Sequence, residues 1–144
     1  MTEKEKKMNF HLPSAEIYVP DDLPLEQALA RTTHLCISAH QDDIEIMAAQ
    51  PIIECFQQKD KWFTGVVVTD GRGSPRDSLY KDYSDEDMRL VRFKEQRKAA
   101  IVGEYAAQIM LDFPSRIVKD VSKSETVEGI AQIVRATKPQ LVFT

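Results

Sequence analysis

The stretch HLCISAHQDD, residues 34–43, decides how the chain reads. Residues 34–39 are a short, mostly apolar segment, the pattern of a strand covered on both faces. His40, Asp42 and Asp43 follow at once, within four residues. Each of these side chains is costly to bury unless it is paired or bound to something. A strand that ends in such a cluster puts chemistry at its carboxyl end.

Working outward, three more segments carry the strand pattern. They are KWFTGVVVT at 61–69, AQIML at 107–111 and PQLVFT at 139–144. Helical patterns lie between them. A loop is expected across 42–48, with a helix starting near Pro51, where a missing N–H costs nothing. The longest helix is expected over 85–103, with Leu90, Val91, Ala99, Ile101 and Val102 on its apolar side and Gly103 at its end. Another is expected over 125–137, with Val127, Ile130, Ile133 and Val134 on one face. Upstream, residues 1–10 read as a frayed charged terminus, 11–23 as an extended surface segment, and 25–31 as a short helix that Asp22 could cap.

Strand, helix, strand, helix, strand, helix, strand makes an α/β protein. Right-handed crossovers turn it into a parallel sheet with helices on both faces, a three-layer arrangement. The strand at 34–39 should neighbour both 61–69 and 139–144. Ligands in such sheets sit at the carboxyl ends of strands. His40, Asp42 and Asp43 lie past one such end, and Asp70 with the long polar loop 70–84 lies past the next.

Composition narrows the function class. The chain has 144 residues, 42% apolar and 29% charged, which suits one soluble domain. A net charge of −4 gives no support for a nucleic-acid or anionic-membrane partner. The start, MTEKEKKMNF, lacks an apolar core, so it does not read as a signal peptide, and no apolar run is long enough for a membrane span. Cys36 and Cys55 belong to no CxxC pair and read as reduced core thiols of a cytoplasmic protein.

A histidine nitrogen and a carboxylate oxygen are good ligands for Zn²⁺. His40 and Asp43 could be two of the three protein ligands of a catalytic zinc. Asp42 could stay off the metal and act as general base toward the attacking water. On spacing alone, an Asp-Asp pair after a strand reads equally as a helix N-cap, and His40 as a hydrogen-bonded rim residue.

Three motifs add to this reading. They are Ala39, His40, Asp42 and Asp43; then Thr69, Asp70 and Gly71; then Arg92, Glu95, Ala99 and Gly103. In order and spacing they resemble the A-H-P-D-D, T-D-G and R-x-x-E-x-x-x-A-x-x-x-G motifs of the LmbE-like (PIG-L) family of zinc-dependent N-deacetylases. The resemblance covers residues 33–144, leaving 1–32 as an N-terminal extension with a short helix. It implies a Rossmann-like fold and removal of an N-acyl, usually N-acetyl, group from an amino-sugar derivative or glycoconjugate. It implies His40 and Asp43 as metal ligands, Asp42 as the catalytic base, and Asp70, Arg72 and Arg92 as substrate-binding residues. Residues alone would make Arg92 and Glu95 an exposed ion pair.

The chain departs from the pattern at Gln41, where the family has proline. It departs at Ile44, where an acid is common, and at 47–49, where Met47, Ala48 and Ala49 replace a glycine-rich stretch. The family's remaining histidine ligand comes after the fourth strand, and this chain has only His11, His34 and His40. The expectation is therefore an incomplete domain, cut after strand four, with zinc weakly held or missing and an exposed strand edge that leaves homo-oligomers open. Two alternatives stand beside it. One is a non-catalytic Rossmann-like fragment or binding module. The other is a receiver-type signalling domain, in which Asp112 would take the phosphoryl group.

Overall fold

The computed structural model describes residues 8–144. Five strands form one sheet: β1 (Glu16–Tyr18), β2 (His34–Ser38), β3 (Phe63–Thr69), β4 (Ala107–Phe113) and β5 (Leu141–Phe143). Six helices accompany them: α1 (Leu25–Ala30), α2 (Asp43–Met47), α3 (Ala49–Cys55), α4 (Asp85–Val102), α5 (Ser115–Val118) and α6 (Glu125–Thr137). The strand order is β1-β4-β3-β2-β5. The four strands read from sequence are parallel and in the expected order, with β2 between β3 and β5. This is a Rossmann-like α/β architecture.

Alternation along the strands sorts the core into two layers. Leu35, Val66, Val68, Ile109 and Leu111 meet Leu29 of α1 and Ile133 of α6 on one face. Cys36, Phe63 and Val67 meet Ile44 of α2, Ala48, Cys55 of α3, Ala100 of α4 and Tyr105 on the other. All seven residues of β3 are buried, and so are all seven of β4. Both cysteines are free and buried, and burial pushes the Cys36 thiol up to about 11, with Glu45 and Asp43 adding to the shift.

The fifth strand is an addition to the sequence reading. Glu16–Tyr18, expected only as an extended surface segment, pairs antiparallel with β4, and Arg97 of α4 clamps Glu16 with two hydrogen bonds. Without it β4 would present an unpaired edge. The expected frayed terminus falls largely on residues 1–7, outside the described residues. Met8 and Phe10 pack against the core, and Gln132 donates to the Asn9 carbonyl, so residues 8–10 are not frayed.

Three local expectations are corrected. Helix follows β2 after a four-residue turn: α2 starts at Asp43 and breaks at Ala48, and α3 starts at Ala49. Pro51 is the third residue of α3, still in the first turn, where its missing N–H removes no bond. Asp22 does not cap α1; it is left-handed, with φ 58°, and the helix begins after Pro24 without a side-chain cap. The buried side of α4 is Met88, Phe93, Gln96 and Ala100, while Leu90, Ile101 and Val102 are exposed. On α6 the inward residues are Thr126, Gly129, Ile133 and Thr137, and Val127 is exposed.

Gly65 sits in the middle of β3, facing α2. A Cβ there would lie 2.7 Å from Gln108 Oε1 and 2.8 Å from Ile44 Cδ1. Gly65→Ala is therefore expected to cost about 1–3 kcal/mol by overpacking, measured by urea unfolding. Gly73→Ala, where nothing lies within 4 Å, should be near neutral in the same assay.

Candidate active site

β2 ends at Ser38, and the chain turns sharply. The Ser38 hydroxyl sits within hydrogen-bond reach of both the His40 carbonyl (3.1 Å) and the Val66 carbonyl (3.2 Å). The His40 N–H donates to Asp43 Oδ2 at 3.0 Å, which folds the loop back on itself. His40 Nδ1 stands 3.6 Å from the same carboxylate oxygen. His40, Asp42 and Asp43 thus share one rim at the carboxyl end of β2, and all three side chains reach solvent.

Asp42 has left-handed backbone, with φ 72°. For a non-glycine residue this costs about 1 kcal/mol, and such strain collects at functional sites. Asp42 precedes α2 but makes no side-chain cap bond, so the N-cap alternative does not describe it. Its Oδ2 instead accepts from Arg92 Nη2 at 2.9 Å. The same Nη2 donates to the Gln41 carbonyl at 3.2 Å, and Nη1 donates to Glu95 at 2.6 Å. The Arg92–Glu95 pair read from spacing is present, and Arg92 also grips the loop that carries the acids.

The turn after β3 joins the same structure. The Thr69 N–H donates to the Ala39 carbonyl at 3.0 Å, and Gln41 Nε2 donates to the Thr69 carbonyl at 3.0 Å. Gly71 has φ 74°, and a Cβ on it would come within 2.7 Å of Gln41 Oε1 and 2.9 Å of Arg92 Cγ. Glycine is required there on both counts. The three stretches singled out in the sequence therefore touch one another at Gly71.

Asp70 and Arg72 flank that glycine and pair with each other rather than with His40, Asp42 or Asp43. Asp70 is 5% exposed; its Oδ1 accepts from the Arg72 N–H at 3.0 Å, and its Oδ2 lies 3.2 Å from Arg72 Nε. The Asp70 N–H donates to the Phe113 carbonyl, which ties this turn to the end of β4. Arg72 reaches on to Glu86 at 3.0 Å. Beside them Arg89 holds buried Asp112 by two parallel hydrogen bonds of 2.7 and 2.8 Å. With both oxygens taken and 5% exposure, Asp112 is poorly placed to accept a phosphoryl group, so the geometry gives the receiver-type alternative no support.

Sequence reading passed over Arg89, its hold on Asp112, and the structural part played by Gln41. Arg89, Arg92 and Gln96 fall at helical spacing on one face of α4, which was a signal that this face meets polar groups.

The donor set suits a divalent ion only in part. His40 and Asp43 are an imidazole and a carboxylate side by side, the right chemistry for two zinc ligands. Among the described residues no group of three His, Cys, Asp or Glu side chains is placed to hold a metal.

Burial raises the Asp70 carboxyl above its ordinary range; the Arg72 N–H and guanidinium oppose this, Asp112 adds to it, and Arg89 opposes it. A carboxyl held high binds its proton more tightly in the folded chain than in the unfolded one. Its stabilising contribution is present at acid pH and lost as pH rises through its titration. Asp70→Asn should therefore melt higher than the parent near pH 7, and the gap should close toward pH ~4 in thermal scans. A gap that widens on acidification would contradict this.

Among the described residues no helix is long and apolar enough to cross a membrane. No curated protein and no solved structure matches the chain. A family model described as PIG-L, GlcNAc-PI de-N-acetylase, matches residues 35–144, which include every motif that meets at Gly71. The chain therefore belongs to the PIG-L family of de-N-acetylases, a family of deacetylase-type hydrolases.

Proposed function

We propose that the chain hydrolyses the N-acetyl group of an amino-sugar derivative, with Asp42 as general base and with His40 and Asp43 as ligands to a zinc ion. The observation that carries this reading is the convergence at Gly71, which puts Arg92 on the Asp42 carboxylate at 2.9 Å and holds the loop bearing His40 and Asp43. Zinc, when bound, supplies a Lewis acid that polarises the acyl carbonyl and makes water more acidic.

The chain's own residues account for the remaining steps. Asp42 presents an exposed carboxylate, with one oxygen held by Arg92 and Oδ1 left for the attacking water. Proton transfer from that water to Asp42 accompanies attack on the amide carbon. The same acid can return the proton to the departing amine. Arg92 fixes the direction of the carboxylate. Arg72, partly exposed at the next loop, offers N–H donors to sugar hydroxyls, and Asp70 orients it through the contacts at 3.0 and 3.2 Å. A cytoplasmic setting fits the free buried cysteines.

One observation favours a second reading. With two donors rather than three in place among the described residues, the rim could bind an amino sugar without cleaving it.

Zinc titration calorimetry and acetate release from an N-acetylglucosamine derivative separate the two. Weak zinc binding through His40 and Asp43, short of one firmly held ion per chain, is expected for the parent and should be lost in His40→Ala. Asp42→Asn should keep the metal and lower turnover by about 100-fold or more, the scale of general-base catalysis. Sugar binding with no acetate released would favour the second reading, and neither zinc nor sugar binding would remove both.

A further inference from the structure

Beneath the loop that carries Asp42 lies a connected set of buried polar side chains. Gln96 of α4, Tyr105 and Gln108 of β4 are all 2% exposed or less. Gln108 stands on the α4 face of the sheet, in space that Gly65 leaves open. Buried polar atoms need partners, and here most have them. Gln96 Nε2 donates to Glu45 Oε1 at 2.9 Å and to Gln108 Oε1 at 3.2 Å. The Tyr105 hydroxyl donates to the same Glu45 oxygen at 2.8 Å, and Gln108 Nε2 donates to the Ile109 carbonyl at 3.2 Å.

These bonds fix which way the Gln96 amide faces. Two acceptors, Glu45 and Gln108, claim its nitrogen. Its oxygen is left for one donor, the Asp42 N–H at 3.4 Å. That N–H belongs to the left-handed residue whose carboxylate Arg92 holds. Arg92 and Gln96 stand four residues apart on one face of α4, so one helix grips Asp42 by both its side chain and its backbone.

We propose that Gln96 is a positioning residue for Asp42, set in direction by Glu45, Tyr105 and Gln108. It keeps the Asp42 backbone in its left-handed conformation and so holds the carboxylate at Arg92. This rests on the reading of Asp42 as general base. A set of side chains that merely filled the core would be served as well by apolar residues of the same shape, and would not end on a loop backbone.

The test reads the Asp42 amide directly, in the full chain labelled with ¹⁵N and without substrate. Hydrogen exchange at Asp42 is compared in the parent, in Gln96→Met, and in the double variant Glu45→Gln with Gln96→Glu. The double variant exchanges acceptor and donor: residue 45 now donates its amide N–H groups to residue 96 and to the Tyr105 oxygen, Gln108 turns its amide to present Nε2 to residue 96, and residue 96 still accepts from Asp42. Gln96→Met should speed exchange at Asp42 by about five- to ten-fold while the amides of β3 stay protected. The double variant should return it to within about three-fold of the parent. Where acetate release is measured, Gln96→Met should lower kcat and leave KM unchanged.

Unchanged exchange at Asp42 in a folded Gln96→Met chain overturns the proposal, as does a folded double variant that fails to recover. Should both variants unfold, Tyr105→Phe decides, because it removes one hydroxyl from the set: faster Asp42 exchange supports the proposal and unchanged exchange overturns it. Turnover in the parent together with an unresponsive Asp42 amide sinks the positioning role and leaves the hydrolase reading standing. A responsive amide in a parent without turnover has the opposite meaning: the grip on Asp42 is real and the hydrolase reading fails.

Discussion

β3 is buried along its entire length, with strands on both sides and helical layers above and below. That burial is the constraint on which the rest depends. Apolar burial stabilises the middle of the sheet, and unpaired charge cannot be placed there. Charge is pushed to the strand ends. At the carboxyl end it meets the loop from β2 and the long helix that follows β3. The rim is thus the one place where His40, Asp42, Asp43, Asp70 and two arginines of α4 can collect.

The rim is more than a collection of exposed acids, because backbone ties hold its loops in register. Thr69 bonds Ala39, Gln41 bonds Thr69, and Asp70 bonds Phe113. Three consecutive strand ends, those of β2, β3 and β4, are linked in this way. Ion pairs between residues three apart on a helix, the spacing of Arg92 and Glu95, contribute only a few tenths of a kcal/mol on their own. What gives the Arg92–Asp42 contact consequence is that both partners sit on these fixed ends, with Gly71 packed against Arg92 and Gln41. The Gln41 amide bond to β3 stiffens the turn by a hydrogen bond where a proline ring would do so by fixing φ.

Much of the fold was legible in the residues. The apolar runs at Val66, Val67 and Val68 and at Ile109, Met110 and Leu111 are buried strands with a period that sequence reveals. β1 was not legible. Three residues, Glu16–Tyr18, have no pattern of their own and become a strand only because β4 offers an unpaired edge and Arg97 reaches Glu16. The buried face of α4 was misread for a related reason. Leu90, Ile101 and Val102 are apolar yet exposed, while polar Gln96 turns inward because Glu45 and Gln108 wait for it there.

The candidate site divides along the same line. Sequence by itself determined which residue types stand at the strand ends, the parallel order of the sheet, and the family to which the three motifs point. These follow from local chemistry and short-range period, which a linear chain carries with it. Only the tertiary structure decided that Asp42 is gripped by Arg92, that Asp112 is locked by Arg89, and that Gly71 is where the motifs meet. Each of those facts pairs residues 20 or more positions apart, and such pairings are set by how helices dock on the sheet, through packing that no local window of sequence contains.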